Sequence, residues 1–149
     1  MSEREERHQR YVEAWNRHEP AAVVAQFGDG GRYEPLPMEQ SFAGDDLERF
    51  VRMVMTAFPD LTLRILRRIP AGDLLVAEWE IGGTHLGEFM GVAPTGEYAI
   101  VRGCDVAEFA PDGSIRCNHV YWDSASVARQ IGVVVALRDT ESEGEPSRC

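Results

Sequence analysis

Two long runs of strand-forming residues are joined by one glycine-rich segment, Gly83–Gly96. This segment holds four glycines and one proline in fourteen residues. Glycine tolerates positive φ, so a segment of this composition allows the chain to reverse sharply. The runs on either side, 74–82 and 98–110, are therefore predicted to be neighbouring strands of one sheet.

The rest of the chain alternates between helical and strand periodicity. Apolar residues recur at i, i+3, i+4 and i+7 up to Phe58, and Asp45 with Glu48 resembles a capping box at the start of that run. The predicted helices cover 3–18, 20–27, 45–58 and 123–131, and the predicted strands cover 32–36, 61–65, 74–82, 98–110 and 114–121. This order predicts an α+β domain with helices packed on one face of a curved antiparallel sheet.

Length and charge exclude several classes of partner. The 149 residues are enough for one domain with a substantial core. A net charge of −10 with no basic block argues against a nucleic-acid partner. No run reaches the ~18 apolar residues that a membrane span requires, and residues 1–7 lack a secretory apolar core. We therefore expect a cytoplasmic protein that binds neither nucleic acid nor membrane.

Cysteine, histidine and glycine patterns predict no metal and no cofactor. The three cysteines, Cys104, Cys117 and Cys149, have no metal-type spacing and are expected to be reduced thiols. No helical histidine pair, nucleophile elbow, phosphate-binding glycine loop or dinucleotide fingerprint is present. Any reaction is therefore expected to be cofactor-independent.

The turn Pro111-Asp112-Gly113 predicts a hairpin and sets its register. A three-residue loop pairs Phe109 with Ile115, which is an apolar pair. The same loop pairs Glu108 with Arg116, which have opposite charges. Both pairings favour this loop length.

The same register brings an acid and a histidine together further along the hairpin. It sets Asp105 opposite His119, and directly opposed Cβ atoms lie ~4.5–5.5 Å apart. A two-residue loop, which would set Glu108 against Cys117, is disfavoured. An aspartate beside a histidine can act as a general acid–base pair, or can simply satisfy two half-buried polar groups. Both interpretations stay open at this point.

Three segments carry a resemblance to a known family: Gly83–Gly96, Phe58-Pro59-Asp60, and the run from Asp123 to Gly132. Over roughly residues 8 to 132 the chain resembles the SnoaL-like polyketide cyclase branch of the NTF2-like superfamily. The resemblance implies a cone-shaped α+β barrel with one apolar pocket, formed by residues 1–135 as a single domain. The acidic segment 136–149 is expected to be a disordered tail.

The resemblance also implies where a catalytic acid should lie. Cyclases of this family are credited with closing a ring by an intramolecular aldol step, in which an acid on the last strand takes the proton. Many members carry a Trp-Asp dipeptide there, and this chain has His119-Val120 instead. Two replacements are open: Asp105 on the adjacent strand, and Glu34 in the early strand, where relatives often hold a polar pocket residue.

These considerations give one set of candidate site residues. The predicted catalytic residues are Asp105, His119 and Glu34. The predicted substrate-binding residues are Trp15, Tyr33, Trp79, His85 and Tyr121.

Three hypotheses of function follow. The first is a cyclase or isomerase of polyketide-type secondary metabolism, such as antibiotic biosynthesis, which acts by acid–base catalysis on an apolar, oxygenated small molecule. The second is an epoxide hydrolase, or an epoxide-opening or dehydrative ether cyclase, which requires two separate carboxyl groups in the pocket. The third is a ligand-binding module without catalysis. Val106 and Val120, expected on the outer face of the sheet, suggest a homodimer.

Overall fold

A computed structural model of the chain describes residues 1–133. The helices are α1 (Glu3–Asn16), α2 (Pro20–Val24), α3 (Gly44–Ala57) and α4 (Ser124–Gln130), and the strands are β1 (Phe27–Pro35), β2 (Thr62–Ala71), β3 (Leu74–Thr84), β4 (Tyr98–Phe109) and β5 (Ile115–Trp122). The predicted tail, 136–149, lies outside the described residues. No helix within 1–133 is long and apolar enough to cross a membrane.

The five strands form one curved sheet in the order β1-β5-β4-β3-β2. All neighbours are antiparallel except β1 and β5, which run parallel. The predicted α+β class is confirmed, with the edge strand β1 as the one departure from a purely antiparallel sheet. Parallel neighbours need a long crossover, and here the whole chain from α3 to β4 lies between them.

Helix α1 turns one side towards the sheet because its apolar residues recur at helical spacing. A capping box of Ser2 and Glu5 starts the helix. Its buried residues are His8, Tyr11, Val12, Ala14 and Trp15. This stripe packs into the common core of the domain.

Helix α3 starts earlier than its predicted capping box. Its N-cap residue is Ala43, which makes no side-chain capping hydrogen bond. The prediction of a capping box formed by Asp45 and Glu48 is therefore wrong. The acids at Asp45 and Asp46 lie in the first turn instead, where the helix dipole favours negative charge.

The β4–β5 hairpin contains a β-bulge that shifts its register by one residue. Phe109 pairs with Ile115, as predicted. Strand β5 then holds one extra residue, Arg116, so Glu108 pairs with Cys117. The extra residue lies where β5 pairs with the start of β1, between the pairs Phe27–Ile115 and Arg32–Cys117. The carbonyl of Gln26, just before β1, accepts the N–H of Ile115 at 2.9 Å. The single predicted register is therefore correct only at its first pair.

The bulge exchanges the two faces of β5. Asp105 pairs with Val120 rather than His119, so the predicted Asp105–His119 contact is wrong. Because side chains alternate along a strand, Asn118 and Val120 now point inward, and both are buried. The expectation that Val120 faces outward is also wrong, and the homodimer stays a prediction that Val106 alone supports.

Gly103 in β4 allows the indole of Trp79 to lie close against the sheet. The two residues are cross-strand partners, and Trp79 is buried. A Cβ atom at position 103 would lie 2.6 Å from Cη2 of the Trp79 ring and would also collide with the Tyr121 carbonyl oxygen. Glycine is therefore required here by close packing.

We predict that Gly103→Ala lowers the free energy of unfolding by about 1–3 kcal/mol, because overpacking must displace the ring or the backbone. Denaturant unfolding measures this change, and tryptophan fluorescence reports the displaced indole. Cys104→Ala, on the opposite face of the same strand, is the control and should cost less. Equal stability of Gly103→Ala and the unmutated protein would contradict the close packing.

Candidate active site

An apolar cavity of about 120 Å³ lies between the concave face of the sheet and the helices. Aromatic rings form much of its wall: Tyr11, Trp15, Tyr33, Phe50, Phe58, Trp79, Phe89 and Trp122. Among the described residues that line it, Asp105 carries the only carboxyl group, and none carries an imidazole, ammonium or guanidinium group. The cavity is therefore suited to an apolar ligand that meets one carboxyl group.

Asp105 is held in the cavity wall by β4, with only 4% of its surface exposed. The indole Nε1–H of Trp79 on β3 donates to its Oδ1 at 3.0 Å. Burying a carboxylate is costly unless it is hydrogen-bonded, and such groups concentrate at functional sites. This makes Asp105 the strongest candidate for chemistry in the cavity.

His8 of α1 approaches the second oxygen of the same carboxylate. Its Nε2 lies 3.6 Å from Asp105 Oδ2, and the imidazole is 1% exposed. The guanidinium of Arg68 donates from Nε to His8 Nδ1 at 3.0 Å and from Nη2 to Gln9 Oε1 at 2.6 Å. Arginine has no acceptor, so Nδ1 must be unprotonated and a neutral His8 carries its proton on Nε2, towards Asp105.

Two buried tyrosines add neutral hydroxyl donors to the cavity. Burial is the main cause that raises the pKa of Tyr11 and of Tyr33, and the nearby charge of Asp105 raises both further. The Tyr11 hydroxyl also accepts a hydrogen bond from Asn118 Nδ2 at 3.3 Å. Both phenols stay protonated at neutral pH, when they can donate to an oxygen of a ligand.

Two of the predicted catalytic residues, Glu34 and His119, lie together but outside the cavity lining. His119 Nε2 is 3.5 Å from Glu34 Oε1, and 45% of the His119 side chain is exposed. Cys117 donates its thiol proton to the same Glu34 oxygen at 3.2 Å. The bulge at Arg116 explains this position, because it turns the odd-numbered residues of β5 that follow it to the outer face. Tyr121, predicted to bind substrate, is exposed on that face as well.

His85 is buried, but it does not line the cavity. Its Nδ1 accepts the backbone N–H of Thr95 at 3.2 Å, and its ring lies against Phe58 with centroids 5.7 Å apart. Its backbone also bonds to Glu97 and Gly96. The contacts are those of a residue that closes the loop between β3 and β4.

The remaining predicted residues, Trp15, Tyr33, Trp79 and Asp105, do line the cavity. Their roles towards a substrate stay predictions. Sequence reasoning does not place His8 among the site residues, although its helical spacing to Tyr11 and Trp15 sets it on the buried stripe of α1. Its partner Arg68 lies in β2, far away in the sequence, and no local pattern indicated the contact.

The curved five-stranded sheet, its helices and the aromatic cavity between them define a protein of the NTF2-like class. More narrowly, the chain belongs to the SnoaL-like polyketide cyclase family, whose family model matches residues 5–131. No curated protein sequence is significantly similar to it.

Solved structures with the same fold come from several sources. AclR of Streptomyces galilaeus, a proposed hydroxylase, is 23% identical with a TM-score of 0.77, over 89% of this chain and 97% of that chain. TsrD of Streptomyces laurentii is 21% identical with a TM-score of 0.76, over 87% of this chain and 95% of that chain. SalBIII is 17% identical with a TM-score of 0.70, over 83% of this chain and 92% of that chain. It is described as an epoxide hydrolase/cyclase-like enzyme in pyran ring formation in the polyether salinomycin. At these identities the similarity establishes the fold.

We predict that ¹⁵N NMR finds Nδ1 of His8 unprotonated and Nε2 protonated, because Nδ1 accepts a hydrogen bond from Arg68. Arg68→Met removes that donor and should change the Nδ1 signal of His8. Arg67→Met is the matched control, since Arg67 pairs with Glu78 at 2.8 Å and does not contact His8. A protonated Nδ1 in the unmutated protein would contradict the assignment.

We predict that the buried tyrosines make the fold sensitive to alkali. Their folded pKa values lie above the unfolded value of about 10, so their contribution is complete below that pH and is lost as the pH rises above it. Tyr33→Phe should reduce the loss by up to about 1.4 kcal/mol per pH unit, measured by denaturant unfolding at several pH values. Parallel curves for the two proteins would show that Tyr33 is not a buried phenol.

Proposed function

We propose that the protein is a cofactor-independent acid–base catalyst that cyclises or isomerises an apolar, oxygenated small molecule of the polyketide type. One observation carries the proposal: a single buried carboxyl group, Asp105, stands in an otherwise apolar described cavity wall. A cytoplasmic location and a homodimeric state remain part of the proposal.

Asp105 is the base that would move the proton. Trp79 donates to Oδ1, and His8 Nε2, at 3.6 Å from Oδ2, is beyond hydrogen-bond distance. Oδ2 can therefore accept a proton from a carbon next to a substrate carbonyl. The electron pair of the broken C–H bond moves onto the carbonyl oxygen, and Tyr33 or Tyr11 can stabilise that oxyanion by donating a hydrogen bond. Return of the proton to another carbon completes an isomerisation. Alternatively, the enolate carbon attacks a second carbonyl and closes a ring, and the alkoxide that forms takes the proton back from Asp105.

The position of Asp105 fits the family pattern by a shift of one strand. Val120 occupies the site that resembles the aspartate of the Trp-Asp dipeptide in many members, and it is buried in the cavity wall. Asp105 is its direct cross-strand partner on β4. The carboxyl group therefore lies at the same level of the cavity, on the neighbouring strand.

The other hypotheses have less support from the described residues. Epoxide hydrolysis or ether closure by two acids needs two carboxyl groups, and the described lining holds one. Glu34 contacts His119 outside that lining, and Glu80 pairs with Arg64 and Arg102. A binding-only module predicts a pocket without ionisable groups and with His119 outside it. His119 does lie outside the described lining, but the carboxyl group of Asp105 lies within it.

We predict that Asp105→Asn reduces turnover by about 10²–10⁴-fold, because the amide cannot accept the proton. Deuterium incorporation beside the carbonyl of an apolar bicyclic ketone, followed by NMR, measures proton abstraction directly. Glu108→Gln makes the same carboxyl-to-amide change on the outer face of the same strand and should retain activity. Equal rates for Asp105→Asn and the unmutated protein would contradict the proposal.

A second pair of variants tests the position of the acid. Asp105→Val should lose proton transfer, and adding Val120→Asp to it should restore part of the rate from the neighbouring strand. The restoration separates loss of the base from loss of the fold. An active Asp105→Val variant would mean that another group abstracts the proton.

A further inference from the structure

Three side chains of types that commonly bind metal ions lie close together on the outer face of the sheet, away from the proposed catalytic carboxylate. Glu34, Cys117 and His119 each offer one ligand atom, and these atoms lie within 4.8 Å of one another. The parallel pairing of β1 and β5 sets Glu34 beside His119. Cys117 lies two residues earlier on β5 and therefore on the same face.

The separations are close to those of ligands around one tetrahedral ion. Zinc binds sulfur at about 2.3 Å and histidine nitrogen or carboxylate oxygen at about 2.0–2.2 Å, so its ligands lie roughly 3.3–3.6 Å apart. Glu34 Oε1 is 3.2 Å from Cys117 Sγ and 3.5 Å from His119 Nε2. Small rotations of these half-buried side chains would complete the geometry.

We propose that Glu34, Cys117 and His119 bind a divalent transition-metal ion, of which Zn²⁺ is the best match. Sulfur, imidazole and carboxylate together suit zinc better than magnesium or calcium, which prefer oxygen ligands alone. Three protein ligands leave a fourth position for water, and solvent reaches the cluster because 45% of the His119 side chain is exposed.

Metal binding must displace the thiol proton. Burial and the adjacent Glu34 carboxylate raise the pKa of Cys117 to about 12. Without an ion the thiol therefore keeps its proton and donates a hydrogen bond to Glu34. A bound cation would stabilise the thiolate, release that proton to solvent and take over the Glu34 oxygen as a ligand. Binding should therefore tighten as the pH rises.

The ion would join β1 to β5 rather than take part in the reaction. All three side chains lie outside the cavity lining, whereas Asp105 lies within it. Strand β1 is the edge of the sheet, and its pairing with β5 is irregular between Phe27 and Arg32. A link between Glu34 and β5 beyond this irregularity would stabilise the edge.

Cobalt provides the most direct test, because thiolate coordination to Co²⁺ gives a sulfur-to-metal charge-transfer band. The full chain, first treated with a chelator, is titrated with Co²⁺, and we expect the band to saturate at one ion per chain. Cys117→Ser should abolish the band. Cys104→Ser and Cys149→Ser, which remove the other two thiols, should retain it.

Two further measurements separate binding at this site from loss of structure. His119→Ala and Glu34→Gln should each weaken Co²⁺ at least tenfold, with circular dichroism unchanged. Zn²⁺ should raise the melting temperature of the unmutated protein and have little effect on Cys117→Ser. Absence of the band at excess Co²⁺, or a band that persists in Cys117→Ser, would overturn the proposal.

Discussion

The extra residue at Arg116 determines which side chains of β5 enter the cavity. A shift of one residue in a strand moves every following side chain to the other face. Here it turns Val120 inward beside Asp105 and turns His119 outward beside Glu34. The cavity therefore contains a carboxylate surrounded by apolar and aromatic groups, while the partly exposed His119 joins a different cluster on the outer face.

The buried carboxylate of Asp105 is contacted from two neighbouring elements. The Trp79 indole on β3 donates to one oxygen, and His8 on α1 approaches the other. Gly103 leaves room for the indole, so the small residue in β4 and the large one in β3 depend on each other. In the proposed function, the low polarity of the cavity would strengthen the interaction of this carboxylate with charge that develops on a substrate, which would compensate for the cost of burying it.

Most helices and strands could be predicted because their periodic patterns are long. Strand β1 begins at Phe27, earlier than the predicted 32–36, because its glycine-rich first half carries no strand pattern. The stripe of α1, the Leu47–Phe58 run and the alternating strands gave the fold class, and the resemblance of Gly83–Gly96 gave the family. The bulge could not be predicted from the hairpin alone. It coincides with a hydrogen bond between Ile115 and Gln26, which comes from another part of the chain. Which residues of β5 face the cavity therefore follows from a bulge at the contact with β1, and no local pattern in the hairpin indicates that contact.

The same limit explains which site residues were found. Asp105 was identified and does lie in the cavity, but its expected partner His119 does not. Its actual neighbour, His8, is positioned by the packing of α1 on the sheet and by Arg68 of β2. Contacts between distant elements of this kind require the assembled fold.

A crystal structure with an enolisable bicyclic ketone bound tests the central claim most directly. We predict that the ketone occupies the aromatic cavity with a carbon next to its carbonyl about 3–3.5 Å from Asp105 Oδ2, and with the carbonyl oxygen towards Tyr33 or Tyr11. A ketone bound in the cavity with its reactive carbon turned away from Asp105, or bound beside Glu34 and His119 on the outer face, would contradict it.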